Sequence, residues 1–248
     1  MFATVTKFYI RIAVTIVGLN MAVAHADTSL KAQFHQGNVY YQNENYAAAI
    51  DAYTAILAQQ QSANLHYNLG NAYFKTGDYG LAILHYRKAR ILDPRNPEFK
   101  ANLQFAIDAA DVNHPANSWL DNYAYLMQVN TWTWLATALL WISIALAVLP
   151  RYFKCQGILP WVLCCTTSLM LGLCLIGLYG YHSQRNDAVV VVPDAPIKVA
   201  PAKNVQPKSF LANAEFATIS RQQGDYYLIR TFNGQSGFIR KEDLRKIW

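Results

Sequence analysis

The sequence predicts a multidomain membrane protein with an all-α repeat solenoid, a hairpin of two transmembrane helices and a small all-β barrel. Three observations support this fold class. A pattern of spaced glycine, alanine and tyrosine residues occurs twice between residues 30 and 96. Two long apolar runs, at 131–149 and 158–180, contain no charged residue. The last part, 187–248, alternates short β-like runs with turn residues and lacks helical periodicity.

The repeat pattern is clearest in residues 63–96. Six of its positions fit a helix–turn–helix unit: Leu69-Gly70, Tyr73, Ala82, Tyr86, Ala89 and Pro94. This set resembles the tetratricopeptide repeat, which is two antiparallel helices with small residues where they cross. The resemblance predicts that Gly70 and Ala82 let the helices approach closely, and that Tyr86 fills the space between repeats. Gly77-Asp78 is predicted to form the turn.

A second copy lies 33 residues upstream and covers about 30–62. Seven of its residues align with the clearer copy: Gly37, Asn38, Tyr40, Tyr46, Ala49, Ile50 and Tyr53. Residues 97–112 restart the pattern without completing it, which predicts one capping helix and a tetratricopeptide-repeat solenoid over 27–115. So short a solenoid is near the minimum for stability. We therefore expect a partner, or self-association into a homo-oligomer, to stabilise it.

The N-terminus has the features of a secretory signal peptide over residues 1–26. Lys7 and Arg11 precede an apolar stretch, which ends in the small-residue pattern Ala24-His25-Ala26, a typical cleavage site. The alternative is an uncleaved membrane anchor. In either case the residues that follow are predicted to be exported.

The two apolar runs are each long enough to cross a bilayer as a helix, with buried core helices as the alternative. The loop between them, 150–157, carries Arg151 and Lys154, whereas no lysine or arginine lies between Lys100 and Arg151. Because positive residues stay on the cytoplasmic side, this loop is predicted to be cytoplasmic. Both water-soluble parts then lie on the outer side of the membrane, which excludes nucleic acid as a partner.

Aromatic residues flank the predicted spans, as is common at membrane interfaces. Aromatic belts are predicted at the juxtamembrane segment 116–130 and at the ends of the spans. The outer belt is Trp119, Tyr123, Trp132, Trp134, Tyr179 and Tyr181, and the inner belt is Tyr152, Phe153 and Trp161. The lipid bilayer is therefore a predicted partner in its own right.

Charge and motif content limit the possible chemistry. The formal net charge is +6, and residues 183–248 hold ten Lys/Arg against six Asp/Glu. This basic module can meet anionic lipid, an acidic partner or cell-wall polymer, and an ordinary solvated surface is the alternative. All four cysteines lie between 155 and 174, so neither soluble part has a disulfide. Scattered histidines and the lack of nucleotide-loop, zinc-protease and nucleophile-elbow motifs predict no metal, no cofactor and no enzyme activity.

Residues 187–248 are predicted to form the barrel. Asp187–Pro193 has a β-like run, the Pro-rich stretch to Pro207 is expected to be mostly loop, and Gly224-Asp225 and Asn233-Gly234 are predicted turns. The pattern resembles bacterial SH3-like domains at Gly224, Tyr227, Ile229, Gly234, Gly237-Phe238-Ile239 and Glu242-Asp243-Leu244. That family usually carries tryptophan where this chain has Tyr227 and Phe238, so these two are predicted to be core residues.

The order of the parts resembles the BatE-type proteins of aerotolerance operons. The specific likenesses are the Tyr67-Asn-Leu-Gly-Asn-Ala-Tyr73 repeat, the cap from Pro97 to Ala110 and the Trp-rich first span. The resemblance implies a scaffold in a bacterial inner membrane, with both soluble parts in the periplasm, that belongs to an envelope complex linked to stress tolerance. It also implies that von Willebrand factor A-domain membrane proteins and an AAA+ ATPase occur with this protein.

The predicted partner site is the concave groove that the first helix of each repeat lines. Its residues are Phe34, Asn38, Tyr41, Tyr67, Asn71, Phe74 and Lys75. Asparagine amides there can bind a peptide backbone or a terminal carboxylate, and aromatic side chains can bury apolar anchors. The predicted function is a membrane-anchored adaptor that binds a protein or peptide. The alternative is a cell-wall sensor or assembly factor whose barrel binds peptidoglycan.

Overall fold

The protein, described by a computed structural model over residues 29–113, 118–152 and 157–248, divides into two compact units. The first unit ends at Gln61, and the second runs from Ser62 to Trp248. The boundary falls between the two repeat copies.

Several predictions fall wholly or partly on residues outside those ranges. The signal peptide predicted at 1–26 lies wholly outside them. The cytoplasmic loop predicted at 150–157 lies outside them at 153–156, which include Phe153 of the predicted inner belt. The ends of the solenoid predicted over 27–115 and the start of the juxtamembrane segment 116–130 also lie outside them.

The first unit contains a helical hairpin. Helix α1 covers residues 29–42 and helix α2 covers Tyr46–Leu57. A Cβ added to Gly37 in α1 would lie only 2.6 Å from the ring of Tyr53 in α2, so glycine is required where the helices cross. The hairpin has the helix–turn–helix form that the first repeat copy predicted.

Three helices of the second unit carry the second repeat copy and its cap. They are α3 (Ala63–Lys75), α4 (Tyr79–Leu92) and α5 (Pro97–Ala110). Gly77 has φ +80°, a left-handed conformation that favours glycine, and the Asp78 side chain accepts a hydrogen bond from the first turn of α4. A Cβ on Gly70 would lie 2.8 Å from the ring of Tyr86. The turn and the close helix crossing agree with the tetratricopeptide-repeat prediction.

A short helix and a long helical hairpin follow. They are α6 (Trp119–Ala124), α7 (Val129–Tyr152) and α8 (Leu159–Ser183). Helices α7 and α8 are both long and apolar enough to cross a membrane, and most of their apolar side chains are exposed. They extend slightly beyond the predicted spans at 131–149 and 158–180. A hydrogen bond from the Ser143 hydroxyl to the Thr167 hydroxyl joins the two helices.

The aromatic residues near the hairpin ends divide into two groups. Trp119 and Trp134 are 74% and 75% exposed, as expected of an interfacial belt. Trp132 is only 4% exposed, because its ring packs against Gly177 in α8 and its Nε1 donates to the Ala124 carbonyl. The structure therefore corrects the belt prediction for Trp132, which joins elements of the protein and does not face the surroundings. Tyr181 is buried in the same way.

A buried polar network joins the segment before α7 to the end of α8. The Tyr125 hydroxyl donates to Gln184 Oε1 over 2.7 Å, and Gln184 Nε2 donates to Asp121 Oδ1 over 2.8 Å. The Arg90 guanidinium of α4 lies 4.4 Å from the centre of the Tyr125 ring. Burial raises the pKa of Tyr125 and lowers the pKa of Arg90. The two ends of the helical hairpin thus meet the repeat at one place.

The C-terminal part of the second unit is an antiparallel sheet. Its strands are β1 (Asp187–Val190), β2 (Ala195–Lys198), β3 (Pro207–Leu211), β4 (Phe216–Gln223), β5 (Tyr226–Thr231), β6 (Ser236–Arg240) and β7 (Leu244–Lys246). They lie in the order β3-β2-β6-β5-β4-β1-β7. The predicted turns at Gly224 and Gly234 have φ +57° and +79°. The stretch from Pro193 to Pro207, expected to be mostly loop, is loop apart from β2 and the first residue of β3.

The sheet buries side chains on both of its faces. One face forms its own core, with Val190, Ile229 and Ile239 nearly inaccessible. On the other face Val189 and Phe216 belong to the same apolar cluster as α4 of the repeat. A strand alternates its side chains between the two faces, so β1 contributes to both.

Candidate partner-binding groove

In the first unit, the three predicted groove residues lie on α1. The Asn38 Oδ1 accepts a hydrogen bond from the Tyr53 hydroxyl over 2.7 Å, and the Phe34 and Tyr53 rings lie 5.9 Å apart. The Tyr41 ring meets the Tyr46 ring edge-on at 5.3 Å. All three predicted residues are half-buried, so each combines an internal contact with partial access from outside.

In the second unit, Tyr67 and Asn71 lie together on α3. Asn71 Oδ1 accepts from the Tyr86 hydroxyl over 2.7 Å, which repeats the Asn38–Tyr53 contact of the first copy. Asn102 on α5 donates through Nδ2 to the Tyr67 hydroxyl and to Asn71 Oδ1, over 2.9 and 3.1 Å. Helices α3 and α5 are therefore joined by a polar floor.

This floor changes what Asn71 can do. An amide oxygen has two lone pairs and can accept two hydrogen bonds. The side-chain oxygen of Asn71 already accepts two, from the Tyr86 hydroxyl and from Asn102. The Nδ2 amide remains as the group that can meet a partner. The predicted role of Asn71 in binding a peptide stays a prediction, and an alanine at this position would also break the bonds to Tyr86 and Asn102.

An aromatic rim lies beside the polar floor. Phe74 on α3 contacts the ring of Tyr79 at 5.5 Å and the ring of Phe105 on α5 at 6.4 Å. Phe105 is 70% exposed, an unusual position for a phenylalanine in a water-soluble region. Lys75 is exposed one residue beyond Phe74. Apolar surface next to a cation and a polar floor is suited to an extended polypeptide with an apolar anchor.

The sequence analysis missed two residues of this surface, Asn102 and Phe105. It treated residues 97–112 as a cap, whereas α5 contributes to the groove as the first helix of a further repeat. The repeat spacing contained the signal, because Leu69 plus 34 residues is Leu103. The same spacing places Phe105 at the position of Asn71.

A histidine pair lies between α3 and α4. The two Nδ1 atoms of His66 and His85 are 2.9 Å apart, so one ring donates and the other accepts. Burial lowers the pKa of His66 to about 4, and burial together with the neighbouring His66 lowers the pKa of His85 to about 3. The Tyr73 ring stacks on His85 at 5.5 Å. The pair is packed as a neutral core element.

Among the described residues, no three His, Cys, Asp or Glu side chains form a cluster of the kind that binds a metal. The groove residues offer aromatic rings, amides and one lysine, and these groups suit non-covalent binding.

The sheet contains Tyr227 and Phe238, the two aromatic residues that bear on the alternative function of peptidoglycan binding. Tyr227 is half-buried, and the Nζ atoms of Lys241 and Lys246 lie 5.7 and 5.2 Å from its ring centre. Phe238 is also half-buried and pairs with Leu228 across β5 and β6. The two lysines partly cover the face of Tyr227 that a sugar ring would need.

Comparison with known proteins identifies the class of the helical region. Residues 34–97 match a family model of the tetratricopeptide repeat. Protein bimA of Emericella nidulans is similar to this chain, with 40% identity over 62 residues. That stretch is 25% of this chain and 8% of bimA, so the chain spans less than a tenth of that relative's length. Residues 34–97 thus contain tetratricopeptide repeats, a type of repeat that generally binds protein partners.

Proposed function

We propose that this protein is a membrane-anchored adaptor that binds a partner polypeptide in the groove between α3 and α5 of its tetratricopeptide-repeat region. The exposed ring of Phe105 beside Phe74, above the polar floor of Tyr67 and Asn102, is the observation that carries this proposal. Such a surface stabilises a bound chain by burying an apolar anchor and by offering amide hydrogen bonds. No enzyme activity is part of the proposal.

The membrane anchor is the pair α7 and α8. Their lengths of 24 and 25 residues suit a bilayer, and the segments before α7 and after α8 meet at one end of the hairpin. This arrangement supports a topology with both soluble parts in the periplasm and the basic loop at 150–157 in the cytoplasm. The resemblance to BatE-type proteins extends the proposal to an envelope complex in aerotolerance, with von Willebrand factor A-domain proteins as partners.

Site-specific photocrosslinking in native membranes tests the groove. A benzophenone amino acid replaces Phe74, Phe105 or, as a control, Leu92, which is 38% exposed at the end of α4. We expect Phe74 and Phe105 to yield adducts with the same polypeptide, and Leu92 to yield none. A Lys75→Glu change should lower both yields. The same amino acid placed at Tyr227 of the sheet provides the contrary test. Adducts from Tyr227 alone would contradict the proposal and favour a partner of the C-terminal part.

Topology needs its own measurement. A phosphatase reporter that is active only in the periplasm, fused after Trp248, should be active, and one placed in the loop 150–157 should be inactive. The opposite pattern would leave the groove as a binding site but place its partner in the cytoplasm. If the purified full chain sediments with peptidoglycan, this result would support the alternative function, a cell-wall sensor acting through an SH3-like domain.

A further inference from the structure

A small cleft lies where α4 of the repeat meets the outer face of the sheet. Its volume is about 280 Å³. The residues that line it include Arg87, Asp187, Phe216, Thr218, Arg230 and Phe232. It lies apart from the groove residues on α3 and α5, and the adaptor function does not use it.

The strand register brings the polar groups of the cleft into one row. Asp187 of β1 lies opposite Thr218 of β4, and Thr218 lies opposite Arg230 of β5. Residues opposite each other in paired strands project from the same face, so these three side chains line one surface. Phe216 is two residues from Thr218 along β4 and shares that face, and Phe232, in the turn directly after β5, also lines the cleft.

The cleft contains two arginines and one carboxylate, so its positive charge exceeds its negative charge by one. The Arg87 guanidinium pairs with Asp187 at 3.4 Å and lies 5.4 Å from the centre of the Phe216 ring. No carboxylate of the described part of the chain lies within ion-pair distance of Arg230. The cleft therefore has a net charge of about +1, which matches a group with a single negative charge. Phe232, 57% exposed, adds an apolar rim.

The cleft is close to the membrane along the chain. Helix α8 ends at Ser183, a 3₁₀ turn covers Gln184–Asn186, and Asp187 follows at once. Four residues span at most ~14 Å. With 25 residues, α8 is about 37 Å long, whereas the hydrocarbon core is about 30 Å, so its last turns already lie at headgroup depth.

We propose that this cleft binds the phosphodiester of an anionic phospholipid, with Arg230 as the main cation and Phe232 against the glycerol and upper acyl chains. A phosphodiester has one negative charge, and a guanidinium fork matches its oxygens. A cavity of this size holds a headgroup but is too small for several residues of peptide. The inference rests on the membrane anchoring in the proposed function.

Native mass spectrometry of the full chain, released from detergent with added lipid, tests this site. The two probes are phosphatidylglycerol, which has a net negative charge, and phosphatidylcholine, whose quaternary ammonium cancels the charge of the same phosphodiester and is repelled by the cleft arginines. They are titrated separately. We expect Arg230→Gln to lower phosphatidylglycerol affinity about fivefold, the factor that corresponds to ~1 kcal/mol per basic residue near an anionic surface. Arg221→Gln is the matched control, because Arg221 is an exposed arginine on β4 outside the cleft. Phe232→Ser should also weaken binding, and the variants should melt as the wild type does.

Three outcomes would overturn the proposal. One is equal affinity of the wild type for the two lipids, and another is an equal loss in Arg230→Gln and Arg221→Gln, which would indicate diffuse charge attraction. The third is equally tight binding of glycerol 3-phosphate, which would identify a soluble anion as the ligand. Wild-type chain that fails to enter vesicles in a flotation assay would instead refute the membrane anchor, so the two failures are distinguishable.

Discussion

The junction between the repeat and the sheet can be tested at Gly80, the second residue of α4. A Cβ added there would lie 2.1 Å from Asn213 Oδ1 and 2.7 Å from the Val190 carbonyl oxygen. Ordinary contacts of a Cβ begin at 3.4 Å, so the backbone contact alone requires a shift of about 0.7 Å. The Val190 carbonyl cannot move freely, because it accepts a hydrogen bond from the Ala214 amide over 2.8 Å.

The expected cost of Gly80→Ala follows from these distances. Overpacking a close contact costs about 1–3 kcal/mol. The helix gains up to ~1 kcal/mol from alanine, and less in its first turn. We therefore expect a net loss of about 1–2 kcal/mol, located at the junction. A loss of this size multiplies the population of the open junction by about 5–30.

Amide hydrogen exchange of the full chain in nanodiscs measures that opening directly. In Gly80→Ala, the Ala214 amide should exchange about 5–30 times faster, whereas amides of α3 should be unchanged. Gly172→Ala in α8 is the control, since its added methyl would meet no described atom within 4 Å. Adding Asn213→Ala should restore part of the protection, because it removes the nearer atom. Unchanged exchange at Ala214 in Gly80→Ala would refute the packing of α4 on β1.

Three further predictions concern the core of the second unit. Gly70→Ala forces a methyl to within 2.8 Å of the Tyr86 ring and should lower the free energy of urea unfolding by about 1–3 kcal/mol; an unchanged midpoint would contradict the helix crossing. Gln184→Ala removes the two hydrogen bonds that Gln184 makes with the half-buried residues Tyr125 and Asp121, and the same measurement should show a loss of about 1–3 kcal/mol. The folded pKa values of His66 and His85, about 4 and about 3, lie below the ordinary value of 6.5. At a pH between 6.5 and the folded pKa, each histidine therefore takes up a proton when the protein unfolds. Stability should therefore fall as the pH drops from 6.5 toward 4, by at most ~1.4 kcal/mol per pH unit for each histidine, and an equal slope in the His66→Gln/His85→Gln variant would contradict this.

The sequence was most informative where structure depends on local spacing. The repeat pattern located the close approach at Gly70 and the turn at Gly77, because both follow from residue size and backbone conformation at fixed positions. The apolar runs located α7 and α8 within a few residues, since a bilayer sets the length of an uncharged helix. Short-range chemistry of this kind can be inferred without knowing the neighbours.

The sequence was least informative where distant segments meet. Arg87 and Asp187 are 100 residues apart, and no pattern links them. Strand β2 was hidden by its proline content, yet Pro196 is tolerated because β2 pairs with β6 only at Lys198 and Phe238. The role of α5 in the groove was missed for a third reason: only one half of that repeat is present, so its consensus is incomplete.

Helix α4 gives these observations a common physical basis, because it takes part in two interfaces at once. Toward α3 it places Tyr86 under Gly70 and braces Asn71, which shapes the groove. Toward the sheet it places Gly80 and Arg87 against β1. A flexible linker would let a bound partner sample a wide volume, whereas packed interfaces of this kind restrict it. Within the second unit, the groove between α3 and α5 is therefore presented at a defined position relative to the helical hairpin, which is what the proposed adaptor role requires.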